Sequence, residues 1–163
     1  MTLINKGDIH VVCMRLRDIS IMNTLFIQSM ESDYGYFPPA FKCKLIRDHS
    51  PFRLMKAYFS PKSTITLVSA NGAIRGYCVI RLERTEPATL LWLYVDSASR
   101  GLGVGKRLVL DAVQRAKSYG SPSIQLVTHD RDDFFFHTGF SRVRRVSGML
   151  AGVDMSIMRQ ELS

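Results

Sequence analysis

The sequence has no hydrophobic run long enough to cross a membrane. A transmembrane helix needs about 18 consecutive apolar residues, and the longest apolar run, Thr89–Val95, has the length of a β-strand. The first ten residues, MTLINKGDIH, contain no apolar signal-peptide segment. We therefore expect a soluble cytoplasmic protein with no membrane partner.

Cysteine is also scarce. The chain has three cysteines, Cys13, Cys43 and Cys78, which are about equally far apart. An odd number of cysteines does not make a disulfide framework, and the absence of a CxxC pair argues against a zinc site. We expect reduced thiols and no bound metal, with Cys78 buried as a small hydrophobic side chain.

Acidic residues are outnumbered by basic ones. Against 14 Asp and Glu stand 22 Lys and Arg, which gives a net charge of +8. This balance favours anionic partners such as polyphosphate cofactors, nucleic acid or acidic protein surfaces. The basic residues are scattered, and the one tight cluster is Arg142, Arg144 and Arg145. Because 163 residues contain no linker or repeat, we expect one domain spanning residues 1–163.

The hydrophobic patterns predict an α/β fold with a mixed sheet of about seven strands flanked by about four helices. Asn71-Gly72 stands between two strand-like segments and predicts a tight hairpin turn. Asp18 is expected to cap the first helix. The predicted strands are Ile9–Leu16, Thr64–Ala70, Ala73–Arg84, Thr89–Val95, Ser123–Thr128, Val143–Met149 and Val153–Met158. The predicted helices are one reaching Met30, a poorer one at Ala40–Asp48, one ending near Tyr119 and a short one at Asp132–Thr138.

A glycine-rich turn, residues 100–105, lies between a predicted strand and a predicted helix. Glycines let a ligand approach the backbone, and the free N–H groups of the first helical turn point towards an anion. The P-loop spacing fails because Arg100 and Arg107 stand where glycine and Ser or Thr are required. The dinucleotide fingerprint fails because Lys106 occupies its last glycine position.

The spacing R-x-x-G-x-G is met in full by Arg100, Gly103 and Gly105. With this turn the sequence resembles the GNAT superfamily of acyl-CoA N-acyltransferases, in which the same pattern binds pyrophosphate. The segment from Phe134 to Phe140 also resembles the F-Y-x-x-x-G-F pattern of that family. The resemblance is best over residues 64–140.

The resemblance implies a GNAT-like fold, acetyl-CoA as cosubstrate and no metal. The strand before the turn should carry a bulge and splay from the next strand, so that pantetheine pairs with its backbone. Pyrophosphate should bind the amides of residues 102–106, with charge supplied by Arg100 and Lys106. The implied cofactor-binding residues are Leu93, Val95, Arg100, Gly101, Leu102, Gly103, Val104, Gly105 and Lys106.

The resemblance further implies an N-acetyltransferase that passes an acetyl group to a primary amine by direct attack in a ternary complex. The tyrosine that often protonates the leaving thiolate in this family is replaced by Phe135. His129 and Tyr94 are the candidate substitutes, because each carries a dissociable proton near the expected cleft. Glu31 and Asp33 could reach an acceptor amine.

Two other readings stay open. The chain could be a catalytically weak or inactive acyl-CoA-binding or sensor module, because Phe135 has no hydroxyl group. It could instead be directed to tRNA or another nucleic acid through its arginine cluster. His129, Asp130, Asp132 and Asp133 look superficially like metal ligands, but helix capping is the better explanation for the aspartates. Whether the acceptor is a small molecule or a protein amine, and whether the chain is a monomer or a homodimer, is left open.

Overall fold

The computed structural model of the chain describes residues 9–70 and 72–162, and within them seven strands form one sheet in the order β1-β2-β3-β4-β5-β7-β6. The strands are β1 Ile9–Cys13, β2 Ser63–Ala70, β3 Ala73–Arg81, β4 Ala88–Val95, β5 Ser123–Thr128, β6 Ser141–Leu150 and β7 Val153–Glu161. The helices are α1 Ile19–Ser32, α2 Pro39–Asp48, α3 Pro51–Tyr58, α4 Val104–Tyr119 and α5 Asp132–Phe136. This confirms the predicted α/β fold with a mixed sheet.

Every pair of neighbouring strands is antiparallel except β4 and β5. Parallel neighbours need a long crossover connection, which α4 supplies between these two strands. Gly120, with a φ of +89°, ends α4 in the left-handed conformation that glycine adopts without strain. The sheet therefore has one parallel pair at its centre, and the glycine-rich turn lies at the start of the crossover.

The two faces of the sheet carry different cores. The core on the α4 face is mostly aliphatic and includes Val68, Ile80, Leu90, Leu108, Ile124 and Met158. The core on the face of α1 and α3 is rich in methionine and aromatic residues and includes Met22, Phe26, Met30, Leu54, Tyr77 and Tyr94. Cys78 is buried on the α4 face, as expected, and burial raises the pKa of its thiol.

The N-terminal region differs from the prediction in two ways. The first strand ends at Cys13 and not at Leu16, which begins a short 3-10 helix. Asp18 does not cap α1, because its carboxylate accepts a hydrogen bond from the Arg15 backbone N–H at 2.8 Å. The helix α3 is absent from the predicted elements; it begins at Pro51, and proline at the first helical position is compatible with a helix.

Other boundaries shift by a few residues. β3 ends at Arg81 and not Arg84, α5 is shorter than predicted, and β6 and β7 are both longer. Of the predicted Asn71-Gly72 turn, Asn71 lies outside the described residues. Gly72 has a φ of +75°, and Ala70 lies opposite Ala73. No helix within residues 9–70 and 72–162 is both long and apolar enough to pass through a bilayer.

Candidate active site

The central strand β4 contains a β-bulge. Ile80 of β3 lies opposite Leu90, whereas Val79 lies opposite Trp92, so Leu91 is an extra residue in β4. As a consequence, Leu90 and Leu93 both pack on the α4 face although an odd number of positions separates them. Trp92 packs on the opposite face, where α1 lies. The bulge thus turns the second half of β4 relative to its first half.

Beyond the bulge, β4 separates from β5. The parallel ladder joins only Ala88–Leu90 to Ile124–Leu126. Within the part of the chain that the structure describes, the rest of β4 therefore has no strand partner on that side. The Asp96 N–H donates to the Arg75 carbonyl at 2.8 Å, on the β3 side. Because amide groups alternate along a strand, those of Leu93 and Val95 face the opening between β4 and β5. The cofactor-binding strand residues predicted from the sequence therefore have backbone groups directed into a cleft.

The glycine-rich turn stands at the end of this cleft. Gly101 and Gly103 have φ values of +77° and +84°, which glycine alone adopts without strain. The first hydrogen bond of α4 runs from the Arg107 N–H to the Gly103 carbonyl at 3.1 Å. The N–H groups of residues 104–106 consequently have no partner inside the helix, and a Cβ added at Gly103 would meet no atom within 4 Å. The turn exposes a helix N-terminus to open space, as an anion site requires.

Gly105 has a different role from Gly103. A Cβ at Gly105 would stand 3.3 Å from the Phe134 ring and 3.6 Å from Val95 Cγ2. Glycine at this position therefore lets α4 approach both α5 and the end of β4. The glycine-rich turn and the segment from Phe134 to Phe140, which both resemble GNAT patterns, therefore lie in contact.

Two cations of the turn are placed differently. Lys106 is exposed. The Arg100 side chain donates to the Val95 carbonyl at 3.0 Å and to the Asp33 carboxylate at 2.6 Å. Arg100 therefore links the turn to β4 and to the end of α1, and Asp33 is held in an ion pair and is not presented as a free carboxylate to an acceptor.

Phe135 is buried in the core at the position where the family often has tyrosine. Its ring centroid lies 5.0 Å from that of Phe134 and 5.8 Å from that of Phe140. Its backbone carbonyl accepts the Thr138 hydroxyl at 2.9 Å, which holds the end of α5. The side chain packs against neighbouring rings and has no group that could donate a proton.

His129 follows β5 directly, across the opening from β4. Its Nδ1 lies 3.0 Å from the Asp154 carbonyl oxygen and its Nε2 lies 3.1 Å from the Asp130 carboxylate. Both partners are acceptors, so only a ring with protons on both nitrogens donates to both. That is the form a general acid needs, and the side chain is still 23% exposed.

A row of aromatic rings crosses the opening on the α1 face. Trp92 of β4 lies 5.8 Å from Tyr34, Tyr34 lies 5.8 Å from Tyr36, and Tyr36 lies 4.4 Å from the His129 ring, all measured between centroids. Tyr34 and Tyr36 belong to the loop between α1 and α2. Burial raises the pKa of Tyr36 to about 12, so its hydroxyl stays protonated near neutral pH. The loop thus forms a wall between β4 and the end of β5.

His49 packs against Trp92, one of the rings of this wall. Its ring stacks on Phe26 at 3.9 Å and meets Trp92 edge-on at 5.0 Å. Its Nδ1 lies 2.8 Å from the Leu45 carbonyl oxygen, and burial lowers its pKa. His49 is not among the residues predicted from the sequence, because no regular spacing relates residues 26, 49 and 92.

Tyr94, the second predicted catalytic residue, is buried on the α1 face. Its ring lies 5.7 Å from that of Tyr77, and the Arg100 guanidinium carbon lies 6.0 Å from the ring centroid. Together with Glu31 and Asp96, Tyr94 lines a cavity of about 530 Å³ beside α1. Among the contacts of residues 9–70 and 72–162, none joins Tyr94 to His129, so the two candidates occupy separate surroundings.

The prediction that the aspartates after β5 cap α5 is wrong. Arg131 is the residue before α5, and no side chain caps the helix. The Asp132 carboxylate instead accepts from Arg142 Nε at 2.6 Å and from the Ser156 hydroxyl at 2.8 Å. These residues line a cavity of about 260 Å³. No group of three His, Cys, Asp or Glu side chains in the described part of the chain is arranged to hold a metal ion.

The arginine cluster on β6 is partly neutralised. Arg142 pairs with Asp132 at 2.6 Å, and an Arg145 nitrogen lies 4.0 Å from an Asp130 carboxylate oxygen. Arg144 is exposed. Ion pairing of two of the three arginines weakens the interpretation of this strand as a nucleic-acid surface.

The chain was compared with family models, curated proteins and solved structures. The Acetyltransferase (GNAT) family model matches residues 28–140. No curated protein sequence matches the chain. Many solved structures share its fold.

Three of these structures illustrate the likeness. The PaiA N-acetyltransferase from Thermoplasma acidophilum, in complex with coenzyme A, is 19% identical, with a TM-score of 0.78 over 94% of this chain and 98% of that one. A GNAT acetyltransferase from Streptococcus pneumoniae is 18% identical, with a TM-score of 0.74 over 95% and 99%. A candidate streptothricin acetyltransferase from Bacillus anthracis, in complex with acetyl-CoA, is 24% identical, with a TM-score of 0.61 over 67% and 68%.

The family match covers more than half of the sequence and includes β4, the glycine-rich turn, α4 and β5. It ends at Phe140, where the F-x-x-x-x-G-F segment also ends. The cleft, the turn and the sheet order agree with that match. The chain therefore belongs to the GNAT family of acetyltransferases.

Proposed function

We propose that this acetyltransferase takes acetyl-CoA as its cosubstrate and transfers the acetyl group to a primary amine by direct attack in a ternary complex. The observation that carries the proposal is the opening between β4 and β5, which leads straight to a glycine-lined helix N-terminus. The structures from T. acidophilum and B. anthracis, solved with coenzyme A and acetyl-CoA, support this choice of ligand.

The residues present fit such a ligand. The N–H groups at the start of α4 would hold the pyrophosphate, and the open space at Gly103 leaves room for it to approach the backbone. Lys106 would add a positive charge. The amides of Leu93 and Val95 would pair with the pantetheine arm, because no strand occupies that side of β4. The thioester would then lie between the two strands.

Transfer requires one bond to form and one to break. The nitrogen lone pair of a neutral amine attacks the thioester carbonyl carbon, the new C–N bond forms, and the C–S bond breaks as the thiolate leaves. The nitrogen loses a proton and the sulfur gains one, so the overall reaction is balanced. The protein's contribution is to orient the two reactants, to offer a backbone N–H on the open side of β4 to the carbonyl oxygen and to supply a proton to sulfur.

His129 is our candidate for the proton donor. It stands at the end of β5 and donates from both nitrogens when doubly protonated. Asp130 is its exposed partner, with a side chain that is 69% exposed, so it can rotate away and free Nε2. Tyr94 is a weaker candidate, because its ring is packed between Tyr77 and Arg100 on the α1 face.

The acceptor would enter from the α1 face. The aromatic wall of Tyr34, Tyr36 and Trp92 lines the opening there, and aromatic rings favour an organic cation. Glu31 lines the neighbouring cavity and would attract a protonated amine, whereas Asp96 in the same lining already pairs with Arg75 at 3.5 Å. A small amine and the terminal amine of a protein side chain both satisfy these features.

A second candidate function is an acyl-CoA-binding module with little or no transfer activity. The buried Phe135, which leaves the usual tyrosine position without a hydroxyl group, favours it. Such a module would bind the cofactor through the same backbone groups. It differs from the enzyme only in turnover.

Isothermal titration with acetyl-CoA, alongside coenzyme A, NADH and ATP, tests the binding site. We expect binding of acetyl-CoA and coenzyme A in the micromolar range and much weaker binding of NADH and ATP. Equal binding of all four anions would contradict the proposal. Release of free thiol with a panel of amines then separates the enzyme from the binding module, since only the enzyme consumes the thioester.

A further inference from the structure

The helix α3 carries an apolar stripe that faces away from the protein. Phe52, Met55 and Phe59 are 71%, 39% and 68% exposed. Phe59 directly follows the last helical residue, Tyr58, and keeps helical backbone angles. The spacing of three and then four residues therefore places all three side chains on one side of the helix. Leu54 is the buried residue of this helix and anchors its other side in the core. We call Phe52, Met55 and Phe59 the α3 stripe.

The α3 stripe lies within the most basic part of the chain. Residues 39–62 contain six basic residues and a single acidic one, Asp48, and so carry +5 of the total formal charge of +8. Arg53 and Lys56 are exposed on α3 itself. The basic residues of the segment are Lys42, Lys44, Arg47, Arg53, Lys56 and Lys62. Two of them have acidic partners: Lys62 pairs with Glu83 at 2.9 Å, and Arg53 lies 3.6 Å from Asp48. A surface that combines protruding phenylalanines with excess positive charge is complementary to an apolar layer beneath negative groups.

The shape of this surface favours a flat partner. A docked peptide helix or strand needs a groove or a sheet edge, whereas the two phenylalanine rings protrude from a convex helix. A second copy of the chain would bring two excess positive charges together, which opposes self-association. The interfacial zone of a lipid bilayer accepts protruding aromatic rings and places anionic headgroups around them.

We propose that the α3 stripe and its basic surroundings dock the protein reversibly onto the surface of an anionic lipid bilayer. Phe52 and Phe59 enter the boundary between headgroups and acyl chains, and Lys44, Arg47 and Lys56 contact anionic headgroups. This departs from the sequence-based expectation of no membrane partner, because docking at a bilayer surface does not require a transmembrane run. The proposal does not depend on the reaction that the enzyme catalyses.

Flotation of the full chain with vesicles tests this docking. One set of vesicles contains phosphatidylcholine and phosphatidylserine, and the other contains phosphatidylcholine alone. We expect binding to the anionic vesicles only, and we expect added salt to weaken it. The double variant Phe52→Ser, Phe59→Ser should lower the partition coefficient about tenfold or more, because both inserting side chains are lost. Lys44→Glu with Lys56→Glu should lower it similarly by removing headgroup contacts.

A matched control comes from the exposed edge strand β6. Val143 is 53% exposed and Arg144 is exposed, so Val143→Ser with Arg144→Glu removes an apolar side chain and reverses a charge elsewhere on the surface. This variant should bind vesicles as the wild type does. Circular dichroism of every variant establishes that the fold is retained. A loss of binding in the β6 variant equal to that in the Phe52, Phe59 variant would overturn the assignment.

A second readout uses fluorescence. The chain has one tryptophan, Trp92, so Phe52→Trp adds a second one on the α3 stripe. The difference spectrum from wild type should shift to the blue with anionic vesicles. No shift, or equal binding to neutral vesicles, would overturn the proposal. So would a wild-type dimer that becomes monomeric in the Phe52, Phe59 variant, or equally Phe-dependent binding to soluble polyglutamate or RNA, because each identifies a different partner for the stripe.

Discussion

The two faces of the sheet handle the two halves of the active site in different ways. On the α4 face, the groups directed into the opening are backbone amides, supported by glycines and by an aliphatic core. On the α1 face, the opening is lined by side chains of Trp92, Tyr34, Tyr36 and His129. In the proposed function, the face built from backbone receives acyl-CoA, and the face built from side chains receives the acceptor.

The difference has a physical reason. Pyrophosphate and pantetheine offer the same oxygens and amides in every acyl-CoA, so helix N–H groups and a strand edge recognise them without particular side chains. An acceptor amine is recognised by shape and charge, which only side chains supply. Changes on the α4 face should therefore affect cofactor binding, and changes around the opening should affect turnover.

Gly103→Val should give the largest effect, a loss of acetyl-CoA affinity of at least about a hundredfold. Two causes act together: the branched side chain fills the open space where phosphate would approach, and valine is strained at a φ of +84°, by about 1–2 kcal/mol. Titration calorimetry measures the affinity. Gly120→Val is the matched control, because Gly120 also has a positive φ and open space but lies at the other end of α4. Wild-type affinity in Gly103→Val would contradict the assignment of the turn.

The same contrast explains what the sequence could predict. Residues 123–128 were predicted as β5 with its observed bounds, and the strand at Thr89–Val95 was predicted within one residue of β4. Glycines, a helical apolar period and a continuous apolar run are all local signals. They were sufficient for the α4 face, because backbone recognition requires little more than strand, turn and helix in that order.

The α1 face could not be predicted in the same way. Its contacts join residues 34, 36, 92 and 129, which no sequence spacing relates. Asp33 was expected near an acceptor amine, but the Arg100 guanidinium binds it at 2.6 Å. Pro51 follows the predicted helix at Ala40–Asp48, and in the structure it begins α3, a helix that was not predicted. Each of these outcomes depends on tertiary contacts.

His129→Gln tests the side-chain half of the comparison. If His129 protonates the leaving thiolate, kcat should fall about a hundredfold, within the usual range for a general acid. The affinity for acetyl-CoA should stay unchanged, since the backbone groups of β4 and α4 remain. Thiol release measures kcat and calorimetry measures the affinity. His137→Gln is the control, because His137 also places Nδ1 near a carbonyl oxygen, that of Asp133, but is exposed at the end of α5. Equal turnover in wild type and His129→Gln would assign the acid to another group.

Phe135→Tyr should have a smaller effect, raising kcat several-fold if protonation of the thiolate limits the rate. The new hydroxyl enters a core lined by Phe134 and Phe140, so we expect a stability loss of about 1–3 kcal/mol where it finds no partner. Thermal unfolding and thiol release measure the two effects. Phe140→Tyr adds a hydroxyl to the same ring cluster and should leave kcat unchanged. A lower or unchanged kcat in Phe135→Tyr would show that the acid lies elsewhere.

His49→Phe should have the smallest effect: a changed pH dependence of stability, and a small stability loss at every pH because the Nδ1 contact with the Leu45 carbonyl is removed. Burial lowers the pKa of His49 in the folded protein, so the unfolded chain takes up a proton first as the pH falls. The free energy of unfolding should therefore decline as the pH drops below about 6.5 and level off below the folded-state pKa.

Above about pH 7 both states are neutral at this residue, and it contributes no pH dependence. Phenylalanine can keep the stack on Phe26 and the edge contact with Trp92, so His49→Phe should flatten the decline in stability below about pH 6.5. Urea unfolding across this range measures the slope, and an equally steep decline in the variant would show that another group causes it. Because His49 supports the aromatic wall and touches no backbone group of the turn, acetyl-CoA affinity should be the same in both proteins.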